Sequence, residues 1–392
     1  MISKSSIGLF LSLLGLIVVS IWSLYSALLL EKHAEVLFSK QLVAIGIGFV
    51  GLAIALVIDH RRWNRPVWVG LVWFATLTLL VLALVKGREI NGARRWVYGF
   101  QPSELAKLAL ILGMSWYCAR FQHRLRSFRF GVLVPGLLTL PLLGLIFVEP
   151  DRGTTLLLAG MVGLLLLVAG ARWQHVAAAA LLAGAVVGTR LAFDPLVQTR
   201  WDAYRRPSEH KSTKAYQNRL AMLALGEGGL LGKGPGAGTQ MRTVPEQHTD
   251  FILSVIGEEL GLVGTWFVVG AFATILFCGT AIARRAGDSG DTFGMLLATG
   301  VTLLITLQAW LNIAVVTMIL PNKGIALPFV SRGGSNVVVM LILIGWLLSI
   351  DRHTLRAMLA TRSRQNSGKP NPFVDREGDL AFGRVVGNPF NP

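Results

Sequence analysis

Charge is what this chain has least of. Asp, Glu, Lys and Arg together make up 15% of its 392 residues, against roughly a quarter in an ordinary soluble domain whose surface must face water. With 53% hydrophobic residues, too little polar surface remains to wrap two or three soluble domains. That excludes a water-soluble enzyme, a fibrous protein and a mainly disordered one. Cysteine is equally scarce. Cys118 and Cys278 both lie in apolar stretches, so neither a disulfide framework nor a metal-ligand spacing is visible. Acidic residues are few as well, 21 against 37 basic, for a formal charge of +16. In so apolar a chain basic residues set topology, bind anionic lipid or hold an anionic substrate, and nucleic acid is not the expected partner.

What is there is a series of long apolar runs. A membrane crossing needs about 20 residues, and the runs at 7–30, 38–58, 67–85, 101–119, 130–148, 153–169, 174–193, 252–283, 293–316 and 325–350 each suit one. The expected fold is therefore all-α, a polytopic membrane protein of about ten helices. The first run is too long for the core of a signal peptide and lacks a small-residue cleavage site, so it is expected to be a membrane helix. Gly46, Gly48 and Gly51 suit close helix packing in lipid. Basic residues cluster in alternate connections: Arg61, Arg62 and Arg65, then Arg120 to Arg129, Arg172, Arg284 and Arg285, and the run after Asp351. The positive-inside rule puts these, and both termini, in the cytoplasm. The basic loop 86–100 falls on the opposite side and is an exception to the rule.

Residues 1–350 thus form a transmembrane domain with a long extracytoplasmic segment at 194–251, and 351–392 is expected to be a flexible cytoplasmic tail. The long segment has helical character from Tyr216 to Leu225. Glycines at 226, 228, 229, 232, 234, 236 and 238 follow. It is either a surface helix with a loose connector or a membrane-surface cap whose glycines permit close turns.

Four polar clusters interrupt the apolar scaffold. In the first, Arg94 and Arg95 either hold phosphate oxygens or sit in a solvated loop. Pro102, Ser103 and Glu104 then make a good helix start, and Lys107, three residues after Glu104, can pair with it one turn into the membrane. In the second, Glu149-Pro150-Asp151-Arg152-Gly153-Thr154 is a tight turn or a charged mouth that anchors other loops or takes a cation. The third contains His248, Thr249 and Asp250 where the long segment re-enters an apolar helix, followed by Glu258 and Glu259. A half-buried Asp250 can take a proton from an attacking hydroxyl; equally, Thr249 or Asp250 can simply cap the helix. The fourth runs from Asn312 through Pro321, Asn322, Lys323 and Gly324 to Pro328-Phe329-Val330-Ser331-Arg332-Gly333-Gly334-Ser335-Asn336. Its Pro and Gly residues are expected where a spanning helix is broken.

Taken in order, the GARRW, QPSELAK, EPDRGT, PEQHTDF–GEELG and PNKGIALPFVSRGGS segments resemble the SEDS family (shape, elongation, division and sporulation), across most of residues 7–350. The resemblance implies a peptidoglycan glycosyltransferase that polymerises lipid II outside the cytoplasmic membrane, usually with a class B penicillin-binding protein. It makes Asp250 the catalytic base on the C4 hydroxyl of the acceptor sugar. Attack at the donor's anomeric carbon then expels undecaprenyl pyrophosphate, with room for a divalent cation, Mg or Mn, at that leaving group. Arg94, Arg95, Glu104, Lys107, Asp151, His248, Thr249, Glu258, Lys323, Ser331, Arg332 and Ser335 become the residues around the substrate. The fuller GARRW and PNKG contexts look more like the division branch than the elongation branch, which implies the division septum of the inner membrane and further membrane proteins of the division machinery as partners. Two motifs depart from the usual pattern. QPDLGT is changed at Glu149 and Arg152, and SYGGSS carries Arg332 in place of tyrosine. A lipid II flippase and a non-catalytic division scaffold are the competing readings.

Overall fold

A computed structural model of the chain describes residues 3–28, 34–90, 93–97, 99–193, 198, 214–239, 249–321 and 324–367. It is a helical bundle: α1 (Lys4–Leu28), α2 (Ala34–Val57), α3 (Pro66–Lys86), α4 (Pro102–Arg120), α5 (Val134–Val148), α6 (Arg152–Val168), α7 (Trp173–Ala192), α8 (Lys214–Glu227), α9 (Ile252–Asp288), α10 (Thr292–Val316) and α11 (Gly334–Ser367). All of these except α8 fall on the expected spans, but α11 starts at Gly334 instead of 325, because 324–333 is not helical. Seven are long and apolar enough to cross a membrane, α6 and most of α7 are shorter apolar helices, and α4 carries Glu104 and Lys107 on a largely buried surface. The one departure from all-α among the described residues is a hairpin, β1 (Arg88–Ile90) and β2 (Ala93–Trp96), antiparallel, between α3 and α4.

Small residues let the central helices meet closely. A methyl on Gly48 would lie 2.4 Å from Leu341, one on Gly51 2.8 Å from Ile342, and one on Gly345 2.6 Å from the Leu52 carbonyl, so α2 and α11 touch nearly backbone to backbone. Gly46, expected to join them, faces open space. At the end of the bundle that carries the N-terminus, Asp351 accepts from Arg285 at 2.6 Å and from Ser6 at 2.6 Å. His60, fully buried, lies 2.6 Å from Asp291. These ties correct the expected tail. The chain does not loosen at Asp351 but stays helical to Ser367, because Asp351 and Thr354 are buried against neighbouring helices. Residues 368–392 lie outside those described.

The expected span 252–283 is one long helix with a break inside it. Gly261 sits at φ 66°, ψ −159°, a region open essentially to glycine alone. A break at this depth frees backbone groups that water cannot satisfy, and the glycine segment after α8 satisfies them. Leu262 and Val263 donate to the carbonyls of Gly229 and Leu230 at 2.9 and 3.3 Å. In return Lys233 and Gly234 donate to the carbonyls of Glu258 and Glu259, each at 3.0 Å. The segment is therefore a cap docked on α9 rather than a loose connector. A methyl on Gly261 would come within 2.3 Å of the Gly232 nitrogen. Gly261→Ala is expected to lower stability by about 3 kcal/mol, read as a drop in apparent Tm of the detergent-solubilised protein; an unchanged Tm would show that the break relaxes freely.

Candidate active site

The end of the bundle opposite the N-terminus is built around a second interruption. Between α10 and α11 the chain at 324–333 is not helical, with Gly324 at φ 63° and the fully buried Phe329 at φ 64°. Side chains from other elements take up its polar backbone. Gln308 donates to Ala326 O at 2.8 Å, Ser20 to Val330 O at 2.8 Å, and Gln41 accepts from Gly333 N at 3.2 Å. Ser331 accepts from Leu327 N at 2.7 Å and donates to Thr249 O at 2.6 Å. Asn312 donates from one amide to both Asp250 O, 2.9 Å, and Ile325 O, 2.7 Å. The turn carrying Thr249 and Asp250 is thus clamped by its main chain to the unwound segment. The half-buried Asp250 carboxylate lies beside Gly324, where a methyl would stand 3.2 Å from Oδ2. The N-cap of α9 is Phe251, without a side-chain cap hydrogen bond. Neither Thr249 nor Asp250 therefore occupies the cap position itself.

Below this turn lies a polar core. Lys107 Nζ, 2% exposed, donates to Glu104 Oε2 at 2.7 Å, Glu104 Oε1 at 2.9 Å and Gln308 Oε1 at 2.9 Å. Asn336 completes it at 3.0 Å from Glu104 Oε2. Such a pair survives at this depth because every ammonium proton has an acceptor. Beside the core, Ser335 accepts from Gln101 N at 3.1 Å.

The α5–α6 turn is bound to the hairpin. Arg95 Nε donates to Glu149 O at 2.8 Å and another of its nitrogens donates to Pro150 O, while Asp151 lies 3.9 Å from Arg95 and caps α6 through Thr154 N at 3.2 Å. Arg95 and Asp151 are therefore held as structural ties of this end. Glu149 is different. It is 1% exposed, and among the described residues neither carboxylate oxygen has a hydrogen-bond partner. Burial, reinforced by the Asp151 charge and opposed by Arg95, pushes its pKa up to about 8. An acid whose folded pKa lies above its ordinary 4.5 holds its proton more tightly when folded, so stability is full below about pH 4.5 and is lost as pH rises through about 8. Glu149→Gln is expected to raise the apparent Tm in alkaline buffer and leave it unchanged in acid. A constant difference at both would remove titration as the cause.

Glu258, fully buried about two turns into α9 from Asp250, accepts from Thr239 N at 2.7 Å and from Lys233 Nζ at 3.1 Å. Lys233 also binds Glu227, the larger of the effects that raise its pKa. Ser26 binds Glu259 and accepts from Gly236 N at 3.1 Å. Both glutamates thus hold the glycine cap on the helix break.

The family model of the FtsW–RodA–SpoVE cell cycle proteins matches residues 4–356. The chain belongs to this SEDS family. It is 37% identical over 319 residues to a probable peptidoglycan glycosyltransferase FtsW of Trichlorobacter lovleyi, covering 80% of this chain and 82% of the relative. It is 34% identical over 350 residues to the protein of the same name from Halomonas elongata, covering 86% and 84%. Among solved structures, a chain of a peptidoglycan synthase complex superposes with a TM-score of 0.75 at 28% identity, over 88% of this chain and 97% of that one. RodA of Thermus thermophilus superposes with a TM-score of 0.63 at 29% identity, over 88% and 96%. The division-branch resemblance agrees with the name these curated relatives carry.

Within this SEDS member the structure gathers Thr249, Asp250 and Ser331 at one turn, Glu104 and Lys107 in the core beneath it, and Arg95, Asp151 and Ser335 along the wall joined through Gln101. Glu258 stands apart on the cap. Arg94 is exposed on β2 and Arg332 half-buried at the end of the unwound segment. His248 and Lys323 lie outside the described residues. Sequence reasoning left Gln41, Gln308 and Lys233 unassigned and named Asn312 and Asn336 only as motif members. The available signal was an amide inside an otherwise apolar run, which costs free energy unless it is bonded. No three His, Cys, Asp or Glu side chains among the described residues stand together as a metal site. The Mg or Mn expectation therefore gains no ligands here.

Proposed function

We propose that this SEDS protein is a peptidoglycan glycosyltransferase that polymerises lipid II in septal wall synthesis. The arginine-rich end of the bundle faces the cytoplasm with both termini, and the turn of Asp250 faces outward in the inner membrane. The Asp250 carboxylate accepts the proton of the acceptor's C4 hydroxyl, and the oxygen attacks the donor's anomeric carbon with inversion. The bond to undecaprenyl pyrophosphate breaks, its electron pair leaving with the pyrophosphate. Arg94 and Arg332 supply positive charge for that leaving group. No step is assigned to a metal ion.

The observation that carries this reading is the clamped turn. Asn312 and Ser331 hold the backbone on either side of the Asp250 carboxylate, so the base is positioned before substrate arrives, which is where an enzyme gains over a free carboxylate. A class B penicillin-binding protein is the proposed partner. The similarity to a chain from a complex that polymerises and crosslinks peptidoglycan supports it.

The test is polymerisation of defined lipid II by the reconstituted protein, with and without its class B partner. Glycan chains are expected with the partner present. Lipid II transport across partner-free liposomes without any chains would favour a flippase instead, and partner binding with neither activity would favour a scaffold.

A further inference from the structure

At the N-terminal end of the bundle, the α4–α5 connection is a folded platform. Tyr117 donates to Phe130 O at 2.7 Å, Leu125 is fully buried, and a methyl on Gly131 would strike the Leu125 carbonyl at 2.2 Å. Phe121 stacks on Phe130 with ring centroids 5.8 Å apart. This platform packs on the start of α7, where Phe128 meets His175 edge-on at 5.6 Å.

It exposes Arg120, Arg124, Arg126 and Arg129, with Arg172 from the adjoining α6–α7 turn. Arg124 and Arg129 lie over the Phe130 ring, 5.4 and 5.7 Å from its centroid, which limits their rotamers. Among the described residues no carboxylate answers them. The chain has no Asp or Glu from 105 to 148 or from 152 to 193, and none of the five arginines makes an ion pair with a described residue. Elsewhere at this end basic groups share their loops with acids: Arg61 is 3.7 Å from Asp291 and Arg285 2.6 Å from Asp351. A topology signal counts Lys and Arg and is nearly blind to Asp and Glu, so it does not account for this segregation. Beside the arginines, Phe128 is 52% and Trp173 68% exposed, apolar rings of the kind that settle at headgroup depth.

We propose that this face binds the headgroup phosphates of anionic phospholipid in the adjoining leaflet. Guanidinium groups match phosphate oxygens in pairs, the two rings fix the depth, and the missing carboxylates leave the charge undiminished. Each arginine held near an anionic membrane surface favours it about fivefold.

The experiment mixes the full-length protein into vesicles of equal parts phosphatidylcholine and phosphatidylglycerol, solubilises it gently and measures the ratio of the two lipids retained. Wild type is expected to retain phosphatidylglycerol several-fold over phosphatidylcholine. Arg124→Gln with Arg126→Gln is expected to bring the ratio near that of the vesicle. The charge-matched control, Arg62→Gln with Arg65→Gln, is expected to behave as wild type. A salt titration of the wild type needs no variant and is expected to erode the enrichment. The proposal is overturned by any of four results: no enrichment in wild type, enrichment indifferent to salt, a platform variant that matches wild type, or a control that loses as much as the platform variant.

Discussion

Asp250→Ala abolishes glycan polymerisation while the protein still folds. General-base catalysis is worth about 10² to 10⁴ in rate, so residual activity is expected between about one part in a hundred and one in ten thousand. The substitution should spare the fold because Asn312 grips the main-chain carbonyl of Asp250, which alanine retains. Polymerisation of defined lipid II, assayed beside the apparent Tm, separates the two effects. Asn312→Ala is the informative companion. It removes the clamp to both Asp250 and Ile325 and leaves the carboxylate in the chain, so kcat should fall without complete loss. Normal polymerisation by Asp250→Ala would remove this residue as the base, and equal collapse of Tm and activity would reduce it to a structural role.

The second large effect falls on stability. Lys107→Met leaves the buried Glu104 carboxylate with Asn336 as its remaining hydrogen-bond donor, and stranding one member of a buried ion pair costs about 3–5 kcal/mol. Against a total stability of roughly 5–15 kcal/mol, that is a large fraction of the margin, and the apparent Tm and the yield of folded protein in detergent extracts should both drop sharply. Glu104→Gln together with Lys107→Met removes both charges and is expected to restore much of the yield. The double variant therefore separates a need for neutrality from a need for the ion pair itself. Recovery to wild-type yield with polymerisation still lost would show that the pair shapes the site above it. No recovery at all would mean that the core depends on the charge-assisted hydrogen bonds to Gln308 and Asn336.

Runs such as 67–85 and 293–316 announced their helices because about 20 apolar residues suffice for a crossing, and the spacing of Glu104 and Lys107 announced their contact because three residues is nearly one helical turn. The break at Gly261 was hidden. A glycine is ordinary in a membrane helix, and only the docked segment around Gly232 shows that this one leaves the helix. Gln308 was hidden for another reason: its partner Lys107 is 201 residues away, and no periodicity links them. The rival readings of Asp250 as cap or base were equally written in the residues. The structure adds that Phe251 takes the cap position and that Asn312 grips the Asp250 main chain; the Asp250→Ala assay decides the base reading. The helical extension from Asp351 to Ser367 has no apolar signature, since it is held by a buried carboxylate that meets Arg285, 66 residues away, and Ser6, 345 residues away.

The two interruptions also differ in when they can be finished as the polypeptide leaves the ribosome. Residues 228–234 precede the bend they complete by about thirty positions, so α9 can settle as it is threaded into the bilayer. The clamp on Asp250 draws on Asn312, Ile325 and Ser331, which are synthesised well after the aspartate itself. A nascent or truncated chain ending before Asn312 would hold a well-formed bend in α9 and a carboxylate still adrift. The clamp is thus deferred until α10 and the unwound segment that follows it have been made.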